Sequence, residues 1–166
     1  MVRVHPALIP ISQMLAKVDQ VYNAIEIDGN LSGKIVLHGQ GAGQNATTSA
    51  VIGDLLEVSK DNHSAHIKTS CNGPNMKNMN SLVTKYYIRI SVDNEAGVLA
   101  RISTILGKLN ISIASVIQKD GVNSDETAEL IITTYESSEE ALQTALSEIT
   151  VLPVVKKINT ILRIED

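Results

Sequence analysis

The residues with the clearest capacity for chemistry lie in the stretch 93–100 (DNEAGVLA). The pattern around it predicts a strand that ends, a sharp turn at Gly97 and a helix that begins at once. Free backbone N–H groups at a helix start can hold a carboxylate, and the oxygens of Asp93 and Asn94 can accept hydrogen bonds from an ammonium group. Both charges of a free amino acid therefore have candidate partners within one turn.

The same stretch also has a plainer interpretation. Asn, Asp and Gly supply turns and helix caps in proteins of every kind. Asn110, the next polar candidate, lies beyond the other end of the predicted helix. On the residues alone, ordinary capping is favoured over ligand binding, and both interpretations stay open.

A second candidate is the glycine-rich loop 39–43 (GQGAG), which separates a predicted strand from a predicted helix. It lacks the full G-x-G-x-x-G fingerprint and the βαβ context of a dinucleotide-binding fold. Its small residues could admit a cofactor, or they could simply allow a tight turn; both can hold at once. We predict no catalytic residue in the chain.

The elements before residue 60 form a thin layer. Alternation predicts strands at 21–27 and 34–38, paired antiparallel across a turn at 28–30. A helix is predicted at 47–58 from the helical spacing of its apolar residues. One helix and two or three strands leave apolar surface bare unless they pack on something else. We therefore expect this part to belong to a larger fold.

The elements after residue 85 make a self-sufficient unit. Strands are predicted at 86–92, 111–118, 127–135 and 158–164, with helices at 98–109 and from 137 onward. A hairpin loop is predicted at 121–125. The order βαββαβ predicts an α+β fold with four antiparallel strands and both helices on one face of the sheet.

The totals exclude several classes of function. The chain has 166 residues, a net charge of -4, four Tyr, and neither Phe nor Trp. The chain has no dense basic cluster of the kind that binds nucleic acid. RRM domains, which bind RNA, share the βαββαβ order, but here Tyr87 is the one aromatic residue placed to stack on a base. No apolar run reaches the roughly 20 residues of a membrane span, and the N-terminus lacks the apolar core of a signal peptide.

The polar stretch between the two parts predicts a linker at 61–84, which divides the chain into domains at 1–60 and 85–166. Its Cys71, the one cysteine, cannot form an internal disulfide and fits the reducing cytoplasm. His63, His66 and Cys71 match no standard zinc spacing and lack a fourth ligand, so no metal site is predicted.

The second half resembles the ACT domain family. The resemblance rests on a strand followed by 93–100 and a helix, then by Asn110-Ile111-Ser112-Ile113, and it covers 85–166. Members bind amino acids, often between two ACT domains, and regulate metabolic enzymes; Ala96 stands where many carry Pro. The resemblance implies a ferredoxin-like fold and these effector-binding residues: Asp93, Asn94, Gly97, Val98, Leu99, Asn110 and Ile111.

The first part resembles the end of the catalytic region of homoserine dehydrogenase. The matching motifs are HPALIP at 5–10, YNAI at 22–25 and GAG at 41–43, in the family's order. The sequence departs from the family pattern at Gln40 and Ala46, where prolines are usual, and at Ser12-Gln13, where His-Pro is common. The family reduces aspartate semialdehyde to homoserine with NAD(P)H, using a dinucleotide domain and catalytic residues that this chain lacks. The resemblance implies cofactor contacts at Gly41, Ala42 and Gly43.

These resemblances together predict the C-terminal regulatory part of an NAD(P)-dependent homoserine dehydrogenase of the threonine, methionine and isoleucine pathway. The implied effector is an amino acid, threonine first, and the isolated chain is expected to be inactive and without cofactor. The bare strand edges predict a homo-oligomer, such as a dimer. The alternative is a stand-alone ACT module for small-molecule binding or oligomerisation, without catalysis.

Overall fold

The computed structural model describes residues 1–60, 77–120 and 126–165. Two compact units are present: Met1–Leu8 with Asn75–Asp166, and Ile9–Pro74. Most of the predicted linker, the three candidate zinc ligands and the hairpin loop 121–125 lie outside the described residues. The boundaries predicted at residues 60 and 85 stay predictions.

The described elements are eight strands and three helices, with short 3-10 turns at Leu15–Lys17 and Met79–Ser81. In chain order they are β1 (Ala7–Leu8), β2 (Tyr22–Gly29), β3 (Gly33–Gln40), α1 (Gln44–Lys60), β4 (Val83–Asp93), α2 (Val98–Lys108), β5 (Ile113–Asp120), β6 (Thr127–Thr134), β7 (Ser137–Ser138), α3 (Glu139–Thr150) and β8 (Val155–Ile164). Among these helices, none is long and apolar enough to cross a membrane.

The sheet of the C-terminal unit has the strand order β1-β8-β4-β6-β5, and β7 pairs with the start of β4. Strands β8, β4, β6 and β5 are antiparallel neighbours. Alternate residues of β4 and β6 are buried in one core with residues of α2 and α3. Both helices therefore cover one face, and the predicted α+β, ferredoxin-like βαββαβ fold is confirmed.

The core is aliphatic apart from Tyr86, in a chain that has neither Phe nor Trp. Its largest fully buried side chains include Ile88, Ile90, Leu130, Ile132 and Leu142. Each contributes about 1.5–3 kcal/mol by leaving water. The apolar stripes predicted for both helices lie in this core.

Helix α3, the second helix of the C-terminal unit, begins as its sequence predicts. The Ser138 hydroxyl caps α3 by accepting a hydrogen bond from the N–H of Ala141 at 3.2 Å. Glu139 and Glu140 stand in the first turn, where the helix dipole favours negative charge.

A buried polar cluster that the sequence did not reveal joins β4, α3 and β8. Arg163 donates two hydrogen bonds to the Glu139 carboxylate, at 2.8 and 2.6 Å, and the Tyr86 hydroxyl donates a third at 3.0 Å. Burial alone would raise the pKa of Glu139. The hydrogen bonds from Arg163, Gln143 and Tyr86 outweigh it and hold this pKa below its ordinary value. Burial, together with the Glu139 charge, raises the pKa of Tyr86.

The N-terminal unit holds the predicted antiparallel hairpin, β2 with β3, and helix α1. None of its described residues is buried. Val51, Leu55 and Val58 on α1 are 52%, 64% and 76% exposed. The apolar surface expected to be bare is therefore bare in the described part of this unit.

Two strand boundaries differ from the prediction for identifiable reasons. Strand β5 begins at Ile113 rather than 111, because Asn110 takes a left-handed conformation (φ 57) and Ile111 turns its N–H back to the Leu106 carbonyl at 2.9 Å. Strand β8 begins at Val155 rather than 158, because Val155 already pairs with Val92.

Candidate functional site

A pocket of about 310 Å³ lies where β4 ends and α2 begins. Its lining combines the turn with two residues from neighbouring strands: Val92, Asp93, Asn94, Glu95, Ala96, Gly97, Val98, Leu99, Gln118 and Leu130. Five of the seven predicted effector-binding residues are among them: Asp93, Asn94, Gly97, Val98 and Leu99. This volume is at the lower end of the range of roughly 300–1,000 Å³ that small-molecule sites occupy.

The helix start in this pocket is shaped by Gly97. Its φ of +91 lies in the left-handed region, which glycine adopts without strain. As the N-cap residue it has no side chain to accept the first-turn N–H groups, and the first turn of α2 holds no acidic residue. The positive end of the helix dipole therefore faces a pocket in which a carboxylate would be stabilised.

The backbone just before this turn is fixed from two sides. Asp93 donates its N–H to the Val154 carbonyl at 2.9 Å, and Asn94 donates its N–H to the Glu126 carbonyl at 2.8 Å. These bonds hold the two residues in place, so both line the pocket from a fixed backbone.

The charges at the rim are already paired. The Asp93 carboxylate lies 2.8 Å from the Lys156 ammonium, and Glu95 lies 3.8 Å from Arg101. Because all four side chains are about a third to a half exposed, these pairs are weak. The contact between Lys156 and Asp93 shows that the Asp93 carboxylate accepts an ammonium group in this geometry.

Gln118 is a pocket residue that the sequence did not reveal. Its Nε2 donates a long hydrogen bond, 3.4 Å, to Oδ1 of Asn94. Gln118 reaches the pocket from β5 because β6 pairs with both β4 and β5, and Leu130 of β6 enters the pocket between them. No local motif marks either residue, since their placement depends on strand register.

Asn110 and Ile111 lie at the opposite end of α2 from the pocket. The helix has 11 residues, which corresponds to about 16 Å at the usual rise. Asn110 donates its N–H to the Gly107 carbonyl, and Ile111 is buried in the core. Within one chain these two residues end the helix, so any part in the pocket would need a second copy.

The loop at Gly41, Ala42 and Gly43 makes a tight exposed turn from β3 into α1. Gly41 donates its N–H to the Val21 carbonyl at 2.9 Å, and a Cβ at this position would lie 1.4 Å from Nδ2 of Asn23. Gly43 has a φ of +116. The turn itself therefore favours glycine at positions 41 and 43, and the exposed loop also leaves room for a flat group to approach.

A separate hollow of about 270 Å³ lies within the N-terminal unit. It is lined by Met14, Lys17, Val18, Val36 and His38 and is mainly apolar. None of the three loop residues predicted to contact a cofactor lines it. In the described part of the chain, no three His, Cys, Asp or Glu side chains are grouped to hold a metal ion.

Comparison with known proteins accounts for both parts of the chain. Residues 1–56 match the family model of homoserine dehydrogenase, and residues 86–154 match that of the ACT domain. This chain corresponds to a C-terminal portion of homoserine dehydrogenase.

Individual homoserine dehydrogenases show the extent of the match. The Neisseria gonorrhoeae enzyme is 34% identical over 98% of this chain and 39% of its own length, and the Helicobacter pylori enzyme is 35% identical over 99% and 39%. A crystal structure of the Thiobacillus denitrificans enzyme superposes with a TM-score of 0.81 at 31% identity, covering 99% of this chain and 38% of that one. The chain thus spans less than two fifths of these homoserine dehydrogenases.

Proposed function

We propose that the pocket at residues 92–99 binds a free amino acid and that the chain is the effector-sensing, allosteric part of a homoserine dehydrogenase. The observation that carries the proposal is the meeting, in one small pocket, of a helix start without a capping side chain and the oxygens of Asp93 and Asn94. Few small metabolites besides amino acids present a carboxylate and an ammonium group so close together.

The pocket suggests one orientation for the ligand. Its carboxylate would accept hydrogen bonds from the first-turn N–H groups of α2, and its ammonium group would donate to Asp93 and Asn94. The side chain would then lie against Val92 and Leu130, which are buried and apolar. The small volume favours a short branched side chain, and threonine is the first candidate.

In the intact enzyme we propose an NAD(P)-dependent reduction of aspartate semialdehyde to homoserine, within threonine, methionine and isoleucine biosynthesis in the cytoplasm. The nicotinamide cofactor would supply the hydride. Gly41, Ala42 and Gly43 fit a supporting contact, because they form an exposed loop without bulky side chains. The isolated chain is proposed to be catalytically inactive.

We also propose that the chain assembles as a homodimer or larger. Strand β5 lies at the edge of the sheet and carries the pocket residue Gln118. A second copy beside this strand would cover its open outer edge, and the resemblance to ACT domains implies that Asn110 of such a copy completes the site. A single species of 18 kDa in light scattering would contradict this assembly.

Calorimetric titration tests the effector site. Threonine, isoleucine and valine are added to the whole chain and to its N94A variant, with N45A as control because Asn45 is exposed on α1. We expect threonine to bind, N94A to weaken binding by about tenfold through a lost hydrogen bond to a charged group, and N45A to leave it unchanged. Absence of binding by all three amino acids would support the alternative, an ACT module for assembly alone.

A further inference from the structure

The first eight residues run beside the end of the last strand of the C-terminal unit. Strand β1 pairs parallel with β8, with Ala7 opposite Arg163 and Leu8 opposite Ile164. The N–H of Glu165 then donates to the Leu8 carbonyl at 2.9 Å. We call Met1–Leu8 the strap.

Side chains fasten the strap at a second point. Nη2 of Arg3 donates a hydrogen bond to Oε1 of Glu165, and Nε2 of His5 lies 4.0 Å from the same oxygen. The side chains of Arg3, His5 and Glu165 are 27%, 15% and 35% exposed. The strap is therefore held both by its backbone and by a partly buried ion pair.

The strap changes how the chain is attached to the C-terminal unit. The N-terminal unit, Ile9–Pro74, follows the strap directly and is followed by the rest of the C-terminal unit. Its two chain ends thus both lead into the same unit. Release of the strap would remove the first of these two points of attachment.

The other end of β8 lies at the candidate effector pocket. Val155 pairs with the pocket residue Val92, and Lys156 reaches the Asp93 carboxylate at 2.8 Å. The pairing of β8 with β4 shifts register twice along the way, between Ser91 and Val92 and between Arg89 and Ile90. One strand therefore joins the pocket to the strap, with irregular pairing near the pocket.

We propose that the strap is a releasable clasp whose closure is linked to the pocket through Lys156 and β8. The proposal rests on the amino-acid site proposed above. The ammonium group of a bound amino acid competes with Lys156 for the Asp93 carboxylate, because both are cations directed at the same oxygens. Loss of that contact removes one tether at the start of β8, next to the two register shifts, and the loosened strand holds the strap less firmly.

Linkage makes this coupling measurable from both directions. If threonine promotes opening of the strap by a given factor, opening of the strap must strengthen threonine binding by the same factor. Variants that release the strap are therefore expected to bind threonine more tightly, although they lie at the far end of β8 from the pocket.

Amide hydrogen exchange of the whole chain, with and without saturating threonine, measures how often the strap opens. E165P removes the N–H that bonds to Leu8, and E165Q weakens the ion pair with Arg3; E148Q, on an exposed position of α3, is the matched control. We expect both Glu165 variants, but not E148Q, to raise exchange around Leu8 about fivefold or more. Threonine should raise the same exchange in the unaltered chain.

Substitution of Lys156 tests whether threonine binding at the pocket changes hydrogen exchange at the strap. We expect K156M to bind threonine while its strap exchange no longer responds, and K157M, altered at the exposed neighbour, to respond like the unaltered chain. Threonine binding without any change at the strap, or an unaltered affinity in E165P, would overturn the clasp and leave the amino-acid site standing. Absence of threonine binding would overturn both.

Discussion

The two units of this chain differ in what they bury. Among the described residues, the C-terminal unit encloses a core of 17 buried hydrophobic residues, all aliphatic except Tyr86, whereas no described residue of the N-terminal unit is buried. A helix with half-exposed Val, Ile and Leu gains little from its own unit, because buried apolar area is the main source of stability. The comparison shows that the C-terminal unit is stabilised by its own core, whereas the N-terminal unit depends on further contacts.

Matched truncations in the two units should give the largest contrast. We expect L142A, in the core of the C-terminal unit, to lower the free energy of unfolding by about 2–5 kcal/mol. L55A removes the same atoms from a side chain that is 64% exposed on α1 and should cost less than about 1 kcal/mol. Urea unfolding followed by circular dichroism measures both, and equal losses would refute the contrast between the units.

The buried ion pair of the C-terminal unit should come next in size. E139Q leaves the Arg163 guanidinium without its carboxylate, in a site where the Glu139 side chain is 5% exposed, and should cost about 3 kcal/mol. E140Q alters the exposed neighbour in the same helix turn and serves as the control. A urea midpoint of E139Q that matches that of E140Q would contradict a stabilising role.

The same carboxyl predicts how stability depends on pH. The folded-state pKa of Glu139 lies below its ordinary value of 4.5, so the unfolded chain binds this proton more readily. The stabilisation is therefore complete above pH 4.5 and is lost as pH falls through the lower folded-state pKa. The acid-induced loss of stability in this window should be smaller in E139Q than in the unaltered chain.

Two glycines of the C-terminal unit should show the smallest effects, with opposite signs. A Cβ would meet nothing within 4 Å at Gly97 or at Gly107. G97A should cost about 1 kcal/mol because its φ is +91. G107A lies inside α2 and should gain up to about 1 kcal/mol. Stabilisation by G97A would show that the turn before α2 does not require a left-handed residue.

The sequence predicted most of what periodicity can encode. The alternation of Ile88, Ile90 and Val92 and the apolar stripes of both helices led to the βαββαβ order, and the turn at Gly97 led to the pocket. The pairing of β1 with β8 was missed, because two residues carry no periodic signal and their partner strand lies at the other end of the chain. Gln118 and Lys156 were missed because strand register, rather than local sequence, brings Gln118 to the pocket and Lys156 to the Asp93 carboxylate.

The addition of β1 to the sheet also means that the C-terminal unit is discontinuous in the gene. A fragment that begins at residue 77, which keeps all of β4, would fold with the outer edge of β8 uncovered at Arg163 and Ile164. Such an edge is a template for pairing between molecules, so the fragment should aggregate more readily than the whole chain. Adding the peptide 1–8 in trans should restore the missing strand, as in fragment complementation.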